Sequence, residues 1–173
     1  SLIDAEDPEC PIRRQSVPVG YEFSISPHEM ADPCAEDRDS PVPHLVHRYP
    51  DRVLLLATDH CAMYCRHCTR RRLVGDQDEK EIGSSETKFD AAIEYIKANR
   101  KIRDVLISGG DPLTLEDDVL ESLISKIRDI SHVELLRIGT RVPVTLPQRI
   151  TENLVNMLKK YSPIWMSIHF NHP

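Results

Sequence analysis

From Arg52 onward, short apolar runs alternate with stretches whose apolar residues recur at helical spacing, and few folds can satisfy that pattern. Val53-Leu54-Leu55-Leu56-Ala57-Thr58 is continuous and apolar, as expected of a strand buried on both faces. Phe89, Ala92, Ile93 and Ile96 then share a helical face behind Ser85 as cap, and Asp104-Val105-Leu106-Ile107 reads as a second strand. Leu120, Leu123, Ile124 and Ile127 mark the next helix, with Thr114 and Asp117 in a capping-box arrangement before it. The run from Val133 to Ile138 is the third strand. Thr151 caps a helix carrying Leu154, Val155 and Leu158, and the run from Ile164 to Phe170 is the fourth strand. Strict alternation predicts a parallel sheet with right-handed crossovers, either doubly wound or curved toward a barrel. Both architectures place ligands at the C-terminal ends of the strands.

The region before this alternation has a different character. Residues 1–45 hold seven of the thirteen prolines and no sustained periodicity, which predicts an N-terminal arm lying over a main domain of residues 46–173. The composition is that of an ordinary globular protein, with 40% hydrophobic and 29% charged residues in 173. A net charge of -6 and a pI near 5.7 argue against nucleic-acid binding and favour small-molecule partners. No apolar stretch reaches the roughly 20 residues of a membrane span, and Ser1 opens no signal-peptide pattern, so a cytoplasmic location is expected. The absence of an early methionine and the stop at His172-Pro173, directly after an apolar run, lead us to expect a piece of a longer protein.

Directly after the first strand comes Cys61-Ala62-Met63-Tyr64-Cys65-Arg66-His67-Cys68. Thiolates at this spacing can hold three corners of an iron–sulfur cube and leave the fourth iron open for a substrate, whereas four cysteines would make an electron carrier. An odd count of five cysteines, three of them beside His60 and His67, fits a disulfide framework poorly. Cys10 and Cys34 receive no role. Zinc could recruit His60 or His67, but structural zinc favours two couplets and only one cluster is present. A zinc-stabilised interaction module is accordingly the non-enzyme alternative.

Other candidates fall at the same strand ends: Ser108-Gly109-Gly110-Asp111, Gly139-Thr140-Arg141 and His169-Phe170-Asn171-His172. The paired glycines could form a plain turn or let backbone approach a ligand, and Asp111 could accept from an amino group. Before the first strand, Arg48 and Arg52 flank Tyr49 and suit an anion such as phosphate. Of Arg70, Arg71 and Arg72, one could reach a substrate carboxylate while the others pair with acidic neighbours or solvent.

Taken with the motif His47-Arg48-Tyr49-Pro50-Asp51-Arg52-Val53, the run Cys65-Arg66-His67-Cys68-Thr69-Arg70-Arg71-Arg72, Leu146-Pro147-Gln148-Arg149-Ile150-Thr151 and His169-Phe170-Asn171-His172-Pro173, the cysteine pattern resembles the lysine 2,3-aminomutase family of radical S-adenosylmethionine enzymes. The resemblance implies a parallel partial (β/α)6 barrel, here cut to about four βα units. It implies a [4Fe–4S] cluster on Cys61, Cys65 and Cys68, with S-adenosylmethionine near Ser108, Gly109, Gly110 and Asp111 and its adenine near the backbone of His67. Pyridoxal 5′-phosphate would be held by Arg48, Tyr49 and Arg52, and the substrate carboxylate by Arg70. The implied reaction moves the α-amino group of L-lysine to the β-carbon through a deoxyadenosyl radical and a pyridoxal phosphate imine. Glutamate or arginine as substrate, or modification of a protein lysine, are the enzyme alternatives.

The family's Schiff-base lysine has no counterpart in these residues, so the catalytic residue is unknown and this chain alone is expected to be inactive. A zinc ion, if the longer protein has one, would not be held by residues present here. A one-electron reductant protein and a homo-oligomer complete the implied partners.

Overall fold

A computed structural model describes residues 3–24, 26–75 and 87–171. Ser85 and His172, both named above, lie outside them. Five strands form one sheet: β1 (Leu45–Tyr49), β2 (Arg52–Thr58), β3 (Asp104–Gly109), β4 (Leu135–Thr140) and β5 (Trp165–Ile168). They lie in chain order, with β2 to β5 mutually parallel. Between them come α1 (Asp90–Ala98), α2 (Asp117–Arg128), the one-turn α3 (Val142–Thr145) and α4 (Glu152–Lys160).

The sheet is mixed, which corrects the strictly parallel expectation. β1 runs antiparallel to β2, with Leu45 opposite Leu55 and Tyr49 opposite Arg52. The two residues between the strands, Pro50 and Asp51, suit a tight turn: proline presets φ, and aspartate favours turn positions. Only Leu45 and Val46 of β1 are buried, so its polar second half looks like loop in the sequence.

Burial alternates along the strands. Val53, Leu55 and Ala57 of β2, Val105 and Ile107 of β3, and Leu136 and Ile138 of β4 join a core with Ala92, Ile93 and Ile96 of α1, Leu120, Leu123, Ile124 and Ile127 of α2, and Leu154 and Met157 of α4. The alternate residues Leu54, Leu56, Leu106, Ser108, Arg137 and Gly139 are half-buried on the opposite face. Helices therefore cover one face, and the other stays accessible. β5 at the sheet's edge is exposed along its whole length.

Helix ends follow the local chemistry in part. Thr151 caps α4 by accepting from the Leu154 N–H. The capping box expected from Thr114 and Asp117 does not form. Thr114 instead closes a 3-10 turn (Pro112–Thr114), where its hydroxyl donates to the Asp111 carbonyl, and α2 starts after Glu116 without a side-chain cap. Asp117 and Asp118 in the first turn of α2, with Lys126 and Arg128 in its last, still match the helix dipole.

The N-terminal segment carries two 3-10 turns, Arg13–Gln15 and Gly20–Phe23, among its described residues. Polar contacts hold it against the cysteine loop. Arg66 pairs with Glu22 at 2.6 Å and donates to the Arg14 carbonyl, while its own N–H reaches the Gln15 carbonyl. Arg72 pairs with Asp37 at 3.0 Å and Asp32 at 3.4 Å. No helix among the described residues is long and apolar enough to cross a membrane.

Candidate functional site

β2 ends where the cysteine loop begins, and its last residues meet β3 out of step. Leu56 lies opposite Ser108, but Thr58 lies opposite Gly109, leaving Ala57 as an extra residue. Such a bulge re-aims the chain beyond it. Gly109 has φ +113, and a Cβ there would sit 2.5 Å from the Thr58 carbonyl oxygen. One on Gly110 would collide with the backbone of His60. The Gly110 N–H donates to the Thr58 carbonyl at 2.6 Å, and the Asp111 N–H to that of His60 at 2.7 Å. The close approach these glycines permit is thus to the protein's own cysteine loop, joining two strand-end loops backbone to backbone.

Asp111 extends this junction to a third strand. Its buried carboxylate accepts from the Thr140 hydroxyl at 2.6 Å, the Arg141 N–H at 2.7 Å, the Val142 N–H at 3.1 Å and the Leu113 N–H at 3.2 Å. Four donors use the approximately four lone-pair sites of a carboxylate. In this structure Asp111 therefore fastens the loops after β3 and β4 together.

The loops enclose a cavity of about 250 Å³ lined by Cys61, Cys65, Cys68, Arg70, Ser108, Gly109, Gly110, Asp111, Thr140, Arg141 and His169, among others. The cysteine, glycine and arginine motifs of the strand ends come together here, and so does His169. Among the described residues, no three His, Cys, Asp or Glu side chains gather closely enough to hold a single metal ion.

Electrostatics inside the cavity centre on the cysteines. Burial, then the Asp111 carboxylate, then Cys68 and Cys65, push the Cys61 thiol up to about 12, with Arg141 acting in the opposite sense. A thiolate here calls for a cationic partner, which bound iron would supply. Arg141 donates from Nη1 to Cys65 Sγ at 2.6 Å and from Nη2 to Gln15 Oε1 at 2.9 Å, while its buried Nε has no hydrogen-bond partner. That orphaned donor and the three cysteines lining one cavity fit an anionic sulfur cluster. His67 faces a second hollow, against the N-terminal segment, and contacts the His169 ring edge-on at 5.9 Å. Burial lowers its imidazole below the ordinary value, and Arg141 and His169 lower it further.

Arg70 borders the cavity but is also gripped by Glu36, Nη2 to Oε1 at 2.7 Å, and that glutamate is itself buried. The pair Arg48 and Arg52 is not brought to the strand-end cavity. Arg52 opens β2 and Cys61 follows its close, a separation of roughly 20 Å at ~3.3 Å per strand residue. The Arg52 guanidinium lies 5.4 Å from the centre of the Tyr49 ring and 4.0 Å from Asp104. Arg48 donates from Nε to Asp39 at 2.6 Å and from Nη2 to the Cys34 carbonyl.

Sequence reasoning missed Gln15, Glu36 and Arg137. Arg137 stands beside Arg52 by forming a two-pronged pair with Asp104, both contacts at 2.8 Å. A charged residue inside an apolar strand was the available signal for Arg137. Gln15 and Glu36 have none, because their partners lie far along the chain.

A mixed α/β sheet, parallel from β2 to β5, with three cysteines in the loop after β2 defines the class. The chain belongs to the radical SAM superfamily, whose model matches residues 55–173. Over its whole length it is 56% identical to an L-lysine 2,3-aminomutase from Clostridium subterminale and 58% to one from Fusobacterium nucleatum, covering 41% and 40% of those proteins. It is 47% identical to a glutamate 2,3-aminomutase from Clostridioides difficile, again over the whole chain and 40% of that protein. The chain thus spans about two fifths of the length of these curated relatives.

Proposed function

We propose that the protein carrying this chain is an amino-acid 2,3-aminomutase, an isomerase that moves an α-amino group to the β-carbon, with L-lysine as substrate. The observation that carries this reading is the lining of one cavity by Cys61, Cys65, Cys68, the Ser108–Asp111 loop and Arg70, in a chain similar throughout to lysine 2,3-aminomutases. In this reading the mixed sheet is the first part of a partial (β/α)6 barrel over residues 46–173, with residues 1–45 as an arm.

Cys61, Cys65 and Cys68 would hold a [4Fe–4S] cluster, and Arg52 with Tyr49 would hold the phosphate of pyridoxal 5′-phosphate. When bound, the cluster supplies the electron that cleaves S-adenosylmethionine, and pyridoxal phosphate supplies a conjugated ring that spreads an unpaired electron. The backbone at Ser108, Gly109 and Gly110 would orient the methionine end of S-adenosylmethionine, with Asp111 fixing that backbone. The backbone of His67 would lie beside its adenine. Arg70, aimed by Glu36, binds the substrate carboxylate as a charge-assisted pair. Arg48, tied to Asp39, shapes the phosphate end. A one-electron reductant protein, a homo-oligomeric assembly and a cytoplasmic location belong to the same reading.

The 47% identity to a glutamate 2,3-aminomutase favours glutamate as the second substrate to consider. Anaerobic loading with iron and sulfide, then incubation with reductant, S-adenosylmethionine, pyridoxal phosphate and carbon-13-labelled lysine or glutamate, tests both readings by NMR. Labelled β-lysine is the expected product, and β-glutamate would transfer the assignment to glutamate. Release of 5′-deoxyadenosine with neither β-amino acid would overturn the aminomutase reading and leave another radical SAM reaction, such as modification of a protein lysine. A colourless protein loaded only with zinc would remove the cluster itself.

A further inference from the structure

We infer that Arg141 is a positioning residue that holds the Cys65 sulfur through a hydrogen bond and sets the reduction potential of the metal group carried there, with Gln15 of the N-terminal segment as its second anchor. The inference rests on the cluster reading of the cysteine loop.

The sequence offers Arg141 only as the residue after β4. The structure gives it three attachments of different kinds. Its backbone N–H is fixed by Asp111 at 2.7 Å, so the start of its side chain is held to the junction of the β3 and β4 loops. Its Nη1 donates to Cys65 Sγ at 2.6 Å. Its Nη2 donates to Gln15 Oε1 at 2.9 Å, and the Gln15 carbonyl accepts from the Arg66 N–H next to Cys65. Gln15 therefore touches both the arginine and the loop bearing the sulfur. Buried Nε, with no partner, keeps one more donor in the same place.

A guanidinium cannot lose its proton in a protein, so the charge beside Cys65 is permanent. A cation and an N–H donor at a cluster thiolate stabilise the reduced, more negative state over the oxidised one. Hydrogen bonds to cluster sulfurs and the net charge nearby are recognised determinants of potential, and partners outside the ligand set orient the ligands themselves. Removing Arg141 should make reduction harder.

The test uses the protein carrying this chain, loaded anaerobically with iron and sulfide, and compares wild type with Arg141→Gln, Arg141→Lys and Gln15→Ala. Iron and sulfide content and the visible absorbance report first whether a cluster forms, which judges the cluster reading separately. The midpoint potential is then taken from an EPR-monitored redox titration without substrate. We expect a negative shift in Arg141→Gln, a smaller one in Arg141→Lys, which keeps the charge, and a smaller one in Gln15→Ala, which keeps the arginine but loosens it. If Arg141→Gln does not retain its cluster, the lysine variant and Gln15→Ala carry the comparison. Potentials equal to wild type in every cluster-bearing variant would overturn the inference. So would weakened S-adenosylmethionine binding at unchanged potential, which would make Arg141 a ligand of that molecule alone.

Discussion

Gly110 shows how much a single missing side chain can decide. Its backbone passes so near His60 that any Cβ would strike the loop leading into Cys61. Gly110→Ala should cost about 1–3 kcal/mol, the range for forcing an extra carbon into a packed site. Urea denaturation would measure the loss, and iron retention should fall with it because the cysteine loop must shift. A neutral alanine would mean that the loop yields. Asp111, one residue on, works by the opposite means: it fills space with acceptors and fastens three N–H groups and a hydroxyl. Arg70 shows the same economy with charge. Its guanidinium sits against Glu36, and a buried carboxylate stripped of its partner would be left uncompensated.

Among the elements, β4 is an interior strand, pairing with β3 on one side and β5 on the other. Leu136 at its centre is completely buried. Leu136→Ala should destabilise by about 2–5 kcal/mol, as cavities in well-packed cores do. The exposed Leu146→Ala should stay within about 0.5 kcal/mol, and paired urea titrations would check both. The elements that make this core were legible in the sequence because their periodicity is strong. Val53, Leu55 and Ala57 face the helices from β2, as Leu120, Leu123, Ile124 and Ile127 face the sheet from α2. The antiparallel β1 was not legible, since two buried residues followed by His47, Arg48 and Tyr49 carry no repeating pattern. The Thr114 cap failed because the Asp111 carbonyl captured its hydroxyl first. The Cys-x3-Cys-x2-Cys spacing and the glycine pair could be read locally. The Arg141–Cys65 contact joins residues 76 apart, and only the folded chain puts them together.

At the scale of the whole molecule, arginines join the N-terminal segment to the sheet domain. Arg48 belongs to this set, and with Arg38 it pairs with Asp39. The Arg38 side chain first, then Arg48, holds the Asp39 carboxyl down at about 2, against an ordinary 3.8. A folded value below the unfolded one adds stability that is fully present above about pH 4. That contribution is lost as the pH falls through about 4 to about 2. The stability difference between wild type and Asp39→Asn should be constant from pH 5 to 8 and vanish toward pH 2, as urea titrations across this range would show. A difference independent of pH would exclude the ion pairs as its source. β2 meanwhile connects the hairpin carrying Tyr49 and Arg52 to the loop carrying the cysteines, with no other covalent path between them. The strand thereby acts as a gauge block. Each inserted or deleted residue would change the gap by ~3.3 Å, and an odd number would also turn Val53, Leu55 and Ala57 away from the helices. On the function proposed above, those seven residues must keep their number if the two distant groups are to serve one ligand assembly.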